Sequence, residues 1–209
     1  MNKEQFWKNV KDFIKETVET IVFVLVAVIV IRFFIGELRW IPSGSMHPTL
    51  IEKDRLFVEK VTKFFRPLKR GDVIVFYPPD EVLKKDFLST FSRLTGILCR
   101  DIAYIKRVVG VGGDKFEVKK AQDNNWYVYI NDIPQDEPYI LSKTNWTQCR
   151  DDMYCGPFII PEGHYFMMGD NRGNSQDSRF WGFLPQERVI GRAVFIFWPL
   201  NRISGLVKY

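Results

Sequence analysis

The sequence predicts a mainly β protein, with folded antiparallel sheets closing into a barrel-like domain, an N-terminal transmembrane helix ahead of it and one inserted helix within it. Three observations carry that expectation. Seven short runs of β-branched and aromatic residues are spread over positions 55–198, and most are bounded by Gly, Pro, Asn or Asp. A single long apolar stretch precedes them. Only one segment between them repeats at helical spacing, and a chain of 209 residues leaves roughly 150–170 for one compact domain once the apolar stretch is set aside.

The apolar stretch comes first in the chain. From Ile21 to Ile31, "IVFVLVAVIVI" runs without a polar residue; Arg32 interrupts and "FFIG" resumes. Residues 18–36 thus have about the length that crosses a hydrocarbon core, with Arg32 near one end, where its side chain reaches the headgroups. A cleavable leader would need small residues next, and "GELRWIPSG" is bulky, so an uncleaved anchor is expected. Ahead of it, Phe6, Trp7, Val10, Phe13, Ile14 and Val18 recur at spacings of three and four. Residues 1–17 are expected as an amphipathic helix in the cytoplasmic interface, from which the chain turns into the bilayer. Lys3, Lys8, Lys11 and Lys15 lie before the span, against Arg39, Lys53 and Arg55 soon after it. That bias puts the N-terminus in the cytoplasm and residues 37–209 on the extracytoplasmic side of a single-pass protein.

Beyond the anchor come the strand candidates "RLFVEKV" (55–61), "DVIVFY" (72–77), "AYIKRVVG" (103–110), "KFEVKK" (115–120), "WYVYIN" (126–131), "HYFMMG" (164–169) and "RAVFIFW" (192–198). Between the second and third, Leu83, Phe87, Phe91, Leu94 and Leu98 recur at helical spacing, so residues 80–101 are expected as the inserted helix. Phe64 and Phe65 stand between cations in "KVTKFFRPLKRGD", a pattern that suits either core or a lip in lipid headgroups.

Charge and cysteine usage exclude several classes. The net charge is +5, but the cations are scattered among acids, which favours an anionic phospholipid membrane as partner over nucleic acid. Cys149 and Cys155 are six positions apart in a polar segment and can close a small disulfide loop, whereas Cys99 sits in an apolar setting as a buried thiol. With two histidines in the chain and no tight ligand spacing, no metal and no other cofactor is expected.

Three segments carry chemistry. "IPSGSMHPTL" (41–50) places Ser45 just beyond the anchor, with His47 two residues away and no acid nearby to orient that imidazole. His164 lies in a turn ahead of an apolar strand. A lysine is the other base on offer, provided that burial strips its charge. Lys106 stands inside an apolar strand, with Arg107 directed to the opposite face. The loop "GDNRGNSQDSRFWG" (169–182) then packs short hydrogen-bonding groups tightly enough to support a site.

With "PSGSMHPTL" after an anchor, "RGDVIVF" (70–76), "YIKRVVGVGGD" (104–114) and "GDNRGNSQDSRFWG" in this order, the chain resembles the bacterial type I signal peptidases, also called leader peptidases. The resemblance implies a Ser-Lys serine endopeptidase of the inner (cytoplasmic) membrane. Such an enzyme removes signal peptides from secreted preproteins after small residues, in an Ala-x-Ala pattern. Ser45 matches the nucleophile and Lys106 the general base. Ser43 matches the hydroxyl that joins the Ser45 N–H in the oxyanion hole, Ser175 the group that orients the amine, and Asp177 and Arg179 the charged pair that braces the loop. Ile41, Met46, Leu50, Tyr104 and Ile105 match the walls of the substrate pockets.

His47 stands where the family commonly has methionine, Gly173 where it has an acid, and "VGG" replaces "LPG"; these departures touch loop detail and leave the dyad intact. Two alternatives stay open on the residues: a specialised Ser-Lys membrane peptidase that matures one substrate such as a pilin, and a non-catalytic anchored β-domain. A self-cleaving repressor with the same dyad would carry a DNA-binding domain where this chain has an anchor.

Overall fold

The computed structural model describes residues 3–95, 101–146 and 155–206. Helix α1, Lys3–Phe34, is continuous over 32 residues. Neither Gly nor Pro occurs within it, so nothing interrupts its hydrogen bonding. The turn expected between an interfacial segment and the anchor is therefore absent, and the amphipathic and apolar halves form one rod. The helix is long and apolar enough to cross a membrane, and none of its residues is buried against the rest of the protein.

The strands follow in order: β1 Gly36–Trp40, β2 Arg55–Glu59, β3 Val73–Phe76, β4 Tyr104–Val111, β5 Lys115–Lys120, β6 Trp126–Ile130, β7 Ile133–Pro134, β8 Phe158–Ile159, β9 His164–Met168, β10 Leu184–Pro185, β11 Val189–Trp198 and β12 Ser204–Gly205. They make two antiparallel sheets. The larger has the order β1-β2-β11-β3-β4-β9-β10 with β12 added to β11, and the smaller has the order β7-β6-β5-β8. The mainly β, folded-sheet architecture expected from the sequence is present. Each of the seven expected strands is found, within three residues of its expected limits.

Strand β1 is new. Its inward position is Glu37, 3% exposed, instead of an aliphatic residue. Lys60 Nζ at 2.8 Å and Arg39 at 2.5 Å hold the carboxylate. Burial raises its pKa, but the two cations more than offset this and bring it below the usual value. A strand that buries a carboxylate shows no apolar alternation, which hides it from a periodicity search.

The inserted helix is shorter than expected. Helix α2 runs Phe87–Thr95, and it starts there because the Asp86 carboxylate accepts the Ser89 N–H at 2.9 Å, as an N-cap does. Residues 80–86 are not helical, and 96–100, with Cys99, lie outside the described residues.

Three apolar clusters fill the domain. Leu56, Val58, Val73, Val75, Ala193 and Ile196 line one face of the large sheet. Ile74, Phe76, Val108 and Met167 line the other, and Phe116, Val128, Ile160 and Phe166 join the two sheets. Period-two alternation along β3 sends Val73 and Val75 one way and Ile74 and Phe76 the other. The same alternation positions the chemistry of β4, its neighbour.

Candidate active site

Strand β4 pairs with β3 in the register Ile74↔Lys106 and Val75↔Ile105. Tyr104, Lys106 and Val108 therefore share a face, and Arg107 takes the other. Each cation meets a different fate. Arg107, 0% exposed, forms a two-pronged pair with Asp170, with Nε–Oδ1 at 2.8 Å and Nη2–Oδ2 at 2.6 Å. Lys106, 5% exposed, has no carboxylate within ion-pair distance among the described residues. Its Nζ instead donates to Ser45 Oγ at 2.8 Å and to the Ile105 carbonyl at 3.0 Å.

Burial drives the Lys106 pKa down to about 8, aided by the Arg179 charge and opposed by Asp177 and Asp170. Relative to the ordinary 10.5, that depression costs folding about 3 kcal/mol. The cost is fully present below pH 8 and vanishes as the pH rises past the unfolded-state value. The amine next to Ser45 thus becomes a proton acceptor near neutrality.

Ser45 lies in a 3-10 turn, Gly44–Met46, that starts after the extended Ser43. The 169–182 loop holds this turn from behind: Asn171 N–H donates to the Ser45 carbonyl at 3.1 Å and Asn171 Nδ2 to the Gly44 carbonyl at 3.1 Å. A Cβ on Gly169 would overlap both the Ser45 carbonyl oxygen and the Ser175 side chain, so this approach requires glycine. Thr49 Oγ1 donates to Asp170 at 2.5 Å, which ties the far end of the nucleophile loop to the Arg107 pair.

Two further buried pairs stiffen the support. Asp177 caps helix α3, Ser178–Trp181. It accepts Arg179 through Nε and Nη2, both at 2.8 Å, and Gly169 N–H at 3.0 Å. Burial alone would raise the Asp177 pKa, but Arg179 and the Gly169 N–H hold it low. Arg172 grips Glu137 at 3.0 and 2.5 Å and stacks 4.6 Å from the Trp146 ring. Sequence reasoning marked the loop as a polar network but missed its partners Glu137, Trp146 and Thr49, which lie 26 to 121 positions away from it.

A cavity of about 570 Å³ opens over the dyad, lined among others by Ser43, Ser45, Tyr104, Ile105, Lys106 and Ser175. Ser43 is exposed on this wall and its hydroxyl makes no capping hydrogen bond. Ser175 Oγ is buried and makes no hydrogen bond, although it lies near enough to Asp177 to favour that carboxylate's charged form. It does not contact the amine it was expected to orient. Tyr104 and Ile105 reach the cavity; Ile41, Met46 and Leu50, at 2%, 0% and 0% exposed, do not. They sit buried in an apolar cluster with Ile105.

The histidines are elsewhere. His47 Nε2 pairs with Glu52 at 2.7 Å, and His164 Nδ1 lies 3.0 Å from the Glu162 carbonyl. Replacing His47 with alanine is expected to leave peptide cleavage within about twofold of the parent rate, measured in a fluorogenic peptide assay; a hundredfold loss would give the imidazole a chemical role. Cys155 is engaged in a disulfide, and its expected partner Cys149 lies outside the described residues. Among the described residues no cluster of His, Cys, Asp or Glu is arranged to hold a metal.

A buried amine beside a hydroxyl, with an open cavity above, can generate a serine nucleophile. Known proteins similar to the chain place it in a family. The family model described as "Signal peptidase, peptidase S26" matches residues 14–198. The chain is 41% identical over 200 residues to a probable signal peptidase I-1 of Synechocystis, covering 94% of this chain and 89% of that one. It is also 41% identical over 191 residues to a signal peptidase I of Leptolyngbya laminosa, covering 91% and 83%. A solved signal peptidase I from Enterococcus faecalis aligns with a TM-score of 0.39 at 26% identity, over 61% of this chain and 97% of that one. By the span of the family match and the identity to these relatives, the chain belongs to the signal peptidase family of serine endopeptidases, peptidase S26.

Proposed function

We propose that the chain is a membrane-anchored endopeptidase that removes signal peptides from exported preproteins, with Ser45 as nucleophile and Lys106 as general base. The observation that carries this reading is the 2.8 Å contact between Lys106 Nζ and Ser45 Oγ, both buried.

In acylation the neutral amine takes the Ser45 proton as Oγ attacks the scissile carbonyl, and the resulting ammonium passes it to the departing amine. A water deprotonated by the same Nζ then releases the acyl group. Ser43 Oγ and the Ser45 N–H are the donors proposed for the oxyanion. Tyr104 and Ile105 line the cavity beside the dyad, where they would favour small side chains at the cut, as in an Ala-x-Ala pattern. Apolar walls thus serve twice, since they also push the Lys106 pKa down. The apolar helix α1 would hold this cleft on the extracytoplasmic face of the inner membrane.

Detergent-solubilised chain is expected to cut a preprotein directly after its Ala-x-Ala site. Because the base must be neutral, the rate should rise tenfold per pH unit on the acid side and level off near the Lys106 pKa of about 8. A rate that is flat from pH 6 to 9 would remove Lys106 as the base. A preprotein panel in which only one substrate is cut would favour a specialised maturation enzyme.

A further inference from the structure

A second cavity, of about 680 Å³, opens where the end of α1 meets the β domain. Phe33 from the helix, Ile35 just after it, Val61 and Phe65 from the loop after β2, Leu83 from the insert and Ile190 from β11 form its wall. Its size falls within the range of roughly 300–1,000 Å³ typical of small-ligand sites. Thr90 and Arg93 bring α2 to its edge. Two features distinguish it from a gap between packed elements.

The first is charge. Lys60 and Arg93 line the cavity against one carboxylate, Glu187, and the Lys60 partner Glu37 also takes Arg39 at 2.5 Å and Arg32 at 3.9 Å. Three cations therefore share one carboxylate, and Arg32 Nε is buried without a hydrogen-bond partner. An anion is the group this cluster lacks. The second feature is apolar exposure. Phe64 and Phe65 are 74% and 84% exposed, and Phe87 and Leu88 on α2 are 84% and 74% exposed. These surfaces continue the apolar surface of α1, the segment suited to a bilayer.

We propose that this cavity binds one acyl chain of an anionic phospholipid, with its phosphate against the Arg32–Arg39–Lys60 cluster. An apolar peptide segment would fill the same wall but bring no anion for the cations. The site also has a route to the cleft. Leu83 and Ala103 pack on the cluster that contains Tyr77 and Ile105, and Ala103 and Ile105 line the catalytic cavity. Arg93 meanwhile holds Asp101, just before Ile102 in the cleft wall, at 3.0 Å. A bound chain braces that wall from behind.

The test uses the full chain stripped of lipid in detergent, incubated with phosphatidylglycerol or phosphatidylcholine and read by native mass spectrometry. One phosphatidylglycerol is expected to be retained, with phosphatidylcholine at least tenfold weaker; this comparison needs no variant. Val61→Trp, which fills the cavity from its rim, should lower phosphatidylglycerol retention tenfold. Arg32→Gln should erase the preference between the two lipids. Without lipid, both variants should cut a short soluble peptide at the rate of the lipid-free parent, which reports an intact fold. Equal retention of the two lipids by the parent chain, or undiminished retention by Val61→Trp, overturns the proposal. So does a lipid-free chain whose Val61→Trp variant loses affinity only for preproteins with a long apolar segment, since the cavity would then belong to the substrate.

Discussion

Lys106→Ala is expected to lower preprotein cleavage by about 10²–10⁴-fold, and Ser45→Ala by at least as much. Both side chains act on a single proton, so the double variant should be no worse than the weaker single one. That non-additivity distinguishes a dyad from two independent contributions. The comparison is a single-turnover measurement on one preprotein with a matched short peptide. Circular dichroism should show the fold unchanged, because Ser45→Ala leaves the Lys106 amine its Ile105 carbonyl partner and Lys106→Ala relieves a burial cost. Full activity in Lys106→Ala would end the proposal, and a distant residue such as His164 would then have to be reconsidered. Its imidazole lies 3.0 Å from the Glu162 carbonyl.

Asp177→Ala should produce the largest loss of stability among single changes around the site. Arg179, 1% exposed, would keep its charge with its carboxylate partner gone. Breaking a buried pair from one side costs about 3–5 kcal/mol, and the α3 cap and the Gly169 N–H acceptor are lost with it. Urea unfolding followed by tryptophan fluorescence would read the change. A second readout separates support from mere stability. Asp177 raises the Lys106 pKa, so its removal should shift the acid limb of the pH–rate profile to lower pH. The sign follows from charge: with one fewer anion nearby, the amine holds its proton less tightly. A stability change below about 1 kcal/mol, or a limb that moves to higher pH, would contradict this account of the loop.

Lys106 and Ser45 were each legible as candidates because their signatures are local, and the family resemblance paired them. A lysine inside an aliphatic strand and a serine in a Pro-Ser-Gly-Ser turn stand out without knowledge of what lies across the fold. Strands with apolar alternation were legible for the same reason, and β5 at Lys115–Lys120 matches its expected limits. What was hidden depends on partners distant in sequence. The apolar face of β1 is replaced by Glu37, whose burial makes sense only once Lys60 is beside it. Arg107 and Asp170 are 63 positions apart, and Arg172 and Glu137 are 35 apart, so nothing in either local pattern names the other.

The two-residue strands β7, β8, β10 and β12 are too short for any period to register. Ile41, Met46 and Leu50 illustrate a different limit. Their apolar character was evident, but whether an apolar residue floors a cleft or lines it depends on a rotation that sequence does not encode. Ser175 is similar: its hydroxyl lines the site, yet it makes no hydrogen bond to the amine that the resemblance assigned to it.

The junction between α1 and the sheet sets one further condition. Ile35 alone separates the helix from β1. Its N–H still donates to Ile31 at 2.9 Å, and its carbonyl already accepts Lys60 N–H at 3.0 Å. No residue there is free to act as a swivel, so the rod and the domain must travel together. The cleft consequently stands at a constant elevation above the end of that rod. A polypeptide running alongside the helix would meet Ser45 only after a set number of residues, and the spacing would serve as a ruler that chooses among several small-residue sites in one chain.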